Sequence, residues 1–212
     1  MNAISSPGTG WNRGVMKPFS EACEENKAPI LDVLLHLFDD ARTILEIGSG
    51  TGQHAVHFAA AMPHLIWQTS DLEDNHPGIR AWLEEAALAN TREPILLDVS
   101  HDWPLAAYAG VFSANTTHIM SWPEVEKMFR GIGRVLKPEG CFALYGPFNY
   151  QGGYTSDSNR NFDQWLKSRD PLSGIRDFEA LNELAVSNRL QLTEDVEMPV
   201  NNRILVWRKV HS

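Results

Sequence analysis

The stretch Leu45-Glu46-Ile47-Gly48-Ser49-Gly50-Thr51-Gly52 is where residue types and spacing point most directly to chemistry. Glycines at alternate positions permit a tight turn and let a ligand lie against bare backbone where a helix begins. A dinucleotide fingerprint would need a third small residue at position 53, and Gln53 stands there. The acidic residues point to a different ligand. Glu46, two positions before the first glycine, can receive an ammonium group. Asp71 can accept from both hydroxyls of a ribose, and Asp98 from an exocyclic amine. With Ser49, Leu72, Val99 and Asn115 beside them, these groups frame a nucleoside with a cationic tail. Three carboxylates would repel a pyrophosphate.

A second set of candidates lies further along. His118 closes Asn115-Thr116-Thr117-His118, and its ordinary pKa of ~6.5 suits taking a proton from an acceptor. The alternative for His118 is a hydrogen-bonded packing histidine. Tyr145 and Tyr150 are further catalytic candidates, and Asn159 and Arg176 are candidate substrate contacts. Most of these residues fall in or beside the connection 147–177, which exceeds the ~12–15 residues usual for an unstructured loop. Gly152-Gly153 supplies flexibility there, Phe162 and Trp165 supply contact area, and the segment reads as a substrate lid. Arg176 can instead pair with a neighbouring aspartate. His54 and His57 lie one helical turn apart without further ligands, so no metal is expected.

Placing these residues together requires alternating strands and helices. Short apolar runs at 44–48, 65–70, 94–99, 110–115 and 141–146 read as strands. Helical patterns separate them, one with Ile30, Val33, Leu34, Leu37 and Phe38 on a single face and Pro29 in its first turn. Ser121 and Glu124 have capping-box spacing before another. A short helix is expected around Phe162–Leu166, and Pro199-Val200-Asn201-Asn202 joins two final strands as a hairpin. The pattern predicts an α/β, Rossmann-like, doubly wound and mostly parallel seven-stranded sheet with a C-terminal antiparallel hairpin. Residues 1–19 read as a flexible arm anchored by Trp11, and 20–212 as one domain carrying the insert at 147–177.

Composition narrows the partners. Lys plus Arg number 18 against 27 Asp plus Glu, a net charge of −9 that argues against nucleic acid. Arg160, Lys167, Arg169 and Arg176 interleave with Asp157, Asp163, Asp170 and Asp177, so no basic groove forms there. No run approaches the ~20 apolar residues of a membrane span, and no signal peptide is visible. Cys23 and Cys141 fit a reducing cytosol and a cytoplasmic location. Nothing in the pattern specifies an oligomeric state.

The block ILEIGSGTG, with Asp71, Asp98 and the closing hairpin, resembles class I S-adenosylmethionine-dependent methyltransferases across about residues 25–210. More narrowly, SEACEENKAPIL (20–31), SGTGQHAVHFA (49–59), WQTSD (67–71), YGPFNYQGGYTSDSNRNFDQWL (145–166), GIRDFE (174–179) and PVNNRILVWR (199–208) resemble one small methyltransferase-like family of unassigned substrate. The resemblance implies S-adenosylmethionine contacts at Glu46, Gly48, Gly50, Asp71 and Asp98, S-adenosylhomocysteine as product, and a small-molecule methyl acceptor. An arginine often stands at the place of Glu25 in that family, so no cofactor role transfers to this position. Two other readings stay open. One is an NAD(P)-dependent reductase, against which stand Gln53 and the lack of a Tyr-x-x-x-Lys. The other is a cofactor-binding interaction module without catalysis.

Overall fold

The computed structural model describes residues 17–210. The expected arm and Trp11 fall outside that range, apart from Lys17, Pro18 and Phe19. The strands are β1 (Thr43–Ile47), β2 (Ile66–Asp71), β3 (Thr91–Leu96), β4 (Tyr108–Ala114), β5 (Leu136–Gly146), β6 (Phe148–Asn149), β7 (Arg176–Asp177), β8 (Leu190–Met198) and β9 (Asn202–Lys209). Seven of them form one sheet in the order β3-β2-β1-β4-β5-β9-β8, and β6 pairs with β7 alone. In the large sheet every pairing is parallel except the two made by β9. The sheet is therefore the expected Rossmann-like one, and its strand order reverses between β1 and β4.

Helices α1 (Glu21–Leu37), α2 (Gln53–Ala61) and α3 (His76–Ala86) cover one face; α4 (Trp122–Val135) and α6 (Phe178–Ser187) cover the other. Strand alternation divides the core between them. On β5, Phe142 and Leu144 pack with Phe129 of α4 and Leu181 of α6, while Ala143 and Tyr145 pack with Ile30 and Leu34 of α1. The remaining helix, α5 (Asp157–Arg169), stands in the connection between β6 and β7.

Three element boundaries depart from the sequence pattern, each for a physical reason. Helix α1 starts two turns before Pro29, because Ser20 caps it by accepting from the Cys23 N–H at 3.3 Å and Glu21 and Glu24 favour its first turn. Pro29 is thus interior and has no N–H to give the Glu25 carbonyl. Strand β3 ends at Leu96, so Asp98 lies in the loop beyond it; Pro94 is tolerated because β3 is a sheet edge. The short helix expected around Phe162 is a 13-residue helix, capped by Ser156, whose Oγ accepts from the Asn159 N–H at 3.1 Å.

Candidate functional site

The glycine loop emerges from β1 at the point where the strand order reverses. Gly48, Gly50 and Gly52 have φ of +71°, +56° and +92°, a region that strains any residue with a Cβ. The Gly48 and Ser49 N–H groups both donate to the Ser70 carbonyl at 3.0 Å, folding the loop across β2. A Cβ at Gly50 would meet nothing within 4 Å, so that face of the loop is open. Asp71 holds the edge of this face. One of its oxygens accepts from the Gly50 N–H at 2.7 Å; the other accepts from the Leu72 N–H and the Asn75 amide, each at 2.7 Å. Glu46 lies beneath, 2% exposed, accepting from the Ser49 hydroxyl at 2.8 Å and the Trp67 indole at 3.1 Å. Burial pushes its carboxyl up to about 7, and Asp71 adds to the rise.

Gln53, which occupies the third-glycine position, is buried and ties the loop to α1. Its Oε1 accepts from the Ser20 N–H at 2.6 Å and the Thr51 hydroxyl at 3.0 Å, and its Nε2 donates to Glu24 at 2.9 Å. His54 Nε2 lies 2.7 Å from the Asn26 Oδ1, a second link to α1. His57 Nε2 is buried without a hydrogen bond. Among the described residues, no group of three His, Cys, Asp or Glu is placed to hold a metal ion.

A cavity of about 480 Å³ opens at the carboxyl ends of β4 and β5. Glu25, Asn26 and Pro29 of α1 form one wall, Asn159, Phe162 and Trp165 of α5 another, and Pro199, Val200 and Asn202 a third. Asn115, His118, Tyr145 and Pro147 form its floor. Asn115 adopts φ +58° directly after β4 and donates its N–H to the Tyr145 carbonyl at 2.9 Å. The Tyr145 hydroxyl lies against the side chains of Asn26 and Asn202, and burial raises its pKa.

The structure brings together only some of the catalytic and substrate candidates. His118 and Tyr145 share the cavity, and Asn159 joins them while its amide donates to the Thr155 hydroxyl at 2.9 Å and the Asn201 carbonyl at 3.2 Å. Tyr150 points elsewhere: its hydroxyl donates to the Asp195 carboxylate at 2.9 Å and its ring stacks on Phe178. Arg176 neither lines the cavity nor pairs with an aspartate. Its guanidinium donates to the carbonyls of Thr117 at 3.0 Å, Leu172 at 2.9 Å and Met120, pinning the backbone behind His118. His118 is 5% exposed with its ring edge-on to Phe162, and burial, with Arg176 adding to it, pushes its pKa down to about 4. It is therefore a neutral, weak base and not the group of ~6.5 expected from its type.

Asp98 is held by its own loop, accepting from the Ser100 N–H at 2.8 Å and lying 3.0 Å from His101 Nδ1. Val99 is buried beside it, while Leu72 is 51% exposed next to Asp71. Asn26 and Asn202, and the neighbours of Glu25 and Gln53, were not visible in the sequence. Asn26 and Asn202 stand in the blocks at 20–31 and 199–208, whose meeting depends on the sheet.

The chain superposes on an O-methyltransferase family protein from Burkholderia thailandensis with a TM-score of 0.79, at 15% identity, over 88% of this chain and 57% of that one. Human N-acetylserotonin methyltransferase, in complex with SAM, gives a TM-score of 0.75 at 14% identity, over 90% of this chain and 53% of that one. The YcgJ protein from Bacillus subtilis gives 0.69 at 14% identity, over 89% of this chain and 100% of that one. The chain thus spans little more than half the length of the first two. These likenesses show its Rossmann-like α/β fold, shared with solved methyltransferase structures. A family model described as "Protein of unknown function (DUF938)" matches residues 17–209, taking in every strand and helix above, and the chain belongs to that family.

Proposed function

We propose that this protein is an S-adenosylmethionine-dependent methyltransferase acting on a small-molecule acceptor. The observation that carries the reading is one of position. A left-handed three-glycine loop occupies the switch point between β1 and β4, where open α/β sheets bind ligands, and the cavity begins beside it at Asn115. The residues present fit the cofactor: the face of the loop at Gly50 is open, Asp71 sits on its edge, and Leu72 offers exposed apolar surface.

When bound, the cofactor supplies a methyl group on a sulfonium. Asp71 and Asn75 would hold the ribose, the backbone of Gly48 to Gly52 would take the tail, and Asp98 and Val99 would hold the base. Glu46 would answer the ammonium from beneath the loop. Asn115, directly after β4, would lie between the cofactor loop and the cavity, whose walls would align the acceptor and exclude water. Alignment of this kind lowers a barrier by ~7–11 kcal/mol. Tyr145 and Asn159 fix the acceptor's orientation, and His118 contributes a hydrogen bond as a neutral imidazole.

Titration calorimetry with S-adenosylhomocysteine and NADH tests the reading. S-Adenosylhomocysteine should bind and NADH should not; the reverse would move the protein to the reductases. Gln53 already argues against them, since its side chain fills the place where a small residue is required. Asp71→Ala should weaken S-adenosylhomocysteine by at least about tenfold, as each lost bond to a charged acceptor is worth ~1.5–3 kcal/mol. Asp71 also holds the Gly50 N–H, so circular dichroism must show the variant folded. Binding without transfer to any acceptor would select the interaction module.

A further inference from the structure

The cavity also carries information about what it takes. We propose that the methyl acceptor is a flat aromatic molecule, uncharged or cationic, that attacks through a nitrogen lone pair, and that aromatic carboxylates and phosphates are excluded. This rests on the methyltransferase reading above and goes beyond it.

Charge is the first observation. Among the described residues no lysine or arginine lines the cavity, and the one acidic lining side chain is Glu25. Glu25 is exposed and makes no ion pair among the described residues. Pro29 adds to the negative character of this wall, because it has no N–H for the Glu25 carbonyl. An anionic acceptor would find no counter-charge here and one like charge.

Shape is the second. Phe162 and Trp165 stack with centroids 5.8 Å apart at 16°, and Trp165 remains 51% exposed. The Arg169 guanidinium already lies over the Trp165 ring, 4.9 Å from its centroid, so a flat ring meets the pair where Arg169 leaves it open.

The third observation is His118. It is 5% exposed, lines the cavity, and neither ring nitrogen has a hydrogen-bond partner among the described residues. Neither nitrogen is among the buried atoms left without a partner, so both are accessible and a ligand in the cavity can meet them. With its pKa held down to about 4, this imidazole can offer a hydrogen bond but is too weak a base to ionise a phenol. A nitrogen lone pair needs no such base. It forms the N–C bond as the C–S bond breaks; the electron pair of that bond goes to sulfur, and the positive charge passes from sulfur to nitrogen. A ring nitrogen keeps the charge as an N-methyl cation, while an N–H amine afterwards gives its proton to water at the cavity mouth. Either way the positive charge develops in a cavity whose one acidic lining side chain among the described residues is Glu25.

The test uses the full chain saturated with S-adenosylhomocysteine and three bicyclic probes: N-methylquinolinium as the cation, quinoline as the neutral ring and 1-naphthoate as the anion. Calorimetry should give N-methylquinolinium the highest affinity and 1-naphthoate one at least about tenfold lower, equivalent to ~1.4 kcal/mol. Glu25→Gln should weaken N-methylquinolinium several-fold and leave quinoline unchanged; Trp165→Ala should weaken both. With labelled S-adenosylmethionine, transfer to quinoline should exceed transfer to 1-naphthol. Equal or tighter binding of 1-naphthoate overturns the inference. So does an unchanged cation-to-quinoline ratio in Glu25→Gln, faster transfer to 1-naphthol, or no binding of any probe. Each of these results leaves the methyltransferase reading standing, whereas that reading falls only if S-adenosylhomocysteine itself does not bind.

Discussion

Burial holds the Glu46 carboxyl up to about 7 from an ordinary 4.5, against the pull of the Trp67 indole and the Ser49 hydroxyl. At ~1.4 kcal/mol per unit, this is roughly 3 kcal/mol of preference for the neutral acid. Because the folded value is the higher one, the stabilisation is complete below 4.5 and is lost as pH rises through about 7. Glu46→Gln can still accept from both partners, so it should raise Tm at pH 8 and leave it nearly unchanged at pH 5. A gain of equal size at both values would contradict this account. A cation over the loop favours the ionised form, so S-adenosylhomocysteine binding near neutrality should release a proton, visible by calorimetry in buffers of different ionisation enthalpy. At His118 the expectation is an absence: kcat should show no inflection near 6.5, because its pKa lies near 4. An inflection there would restore His118 as a proton acceptor.

Among the elements, α5 depends on one carboxylate. Asp163 is 1% exposed and accepts from the Ile175 N–H at 2.8 Å and the Tyr154 hydroxyl at 2.6 Å, with Lys167 at 2.6 Å. Asp163→Ala leaves the buried Ile175 N–H unpaired and should cost ~1–3 kcal/mol of stability, read from the urea midpoint. Hydrogen exchange should show α5 amides opening faster than those of β4, then slowing when S-adenosylhomocysteine and N-methylquinolinium are both present. Protection equal to β4 in the free protein would rule out a mobile wall. The strands of the large sheet, though not all their bounds, the glycine loop and the cap of α4 were legible because local pattern decides them; Glu124 does accept from the Ser121 N–H at 2.6 Å. What Tyr150 and Arg176 face was not legible. Asp195 lies 45 residues from Tyr150, and the Thr117 carbonyl 59 residues from Arg176. Only the assembled sheet brings these partners within reach, and they draw both side chains away from the cavity. The start of α1 was misplaced because Pro29 is a common first-turn signal, while Ser20 with Glu21 and Glu24 made the stronger cap.

For the whole molecule, acid should be destabilising. His54 and His118 are both held down to about 4, so the unfolded chain takes up protons below 6.5 that the folded chain refuses. Their contribution is complete above 6.5 and is lost as pH falls toward 4, opposite in sign to that of Glu46 alone. The urea midpoint should therefore be lower at pH 5 than at pH 7, and His54→Gln should shrink that difference. The Gln53 tie has a different consequence. Its amide fastens the helix behind the glycine loop to the N-terminus of α1, and α1 walls the cavity. Whatever tightens the loop is thus felt in the wall, and thermodynamic reciprocity makes the effect equal in both directions. S-Adenosylhomocysteine and N-methylquinolinium should each raise the other's affinity by one common factor, which Gln53→Ala should bring toward unity. A single amide then sets whether the two ligands bind as a coupled pair or independently.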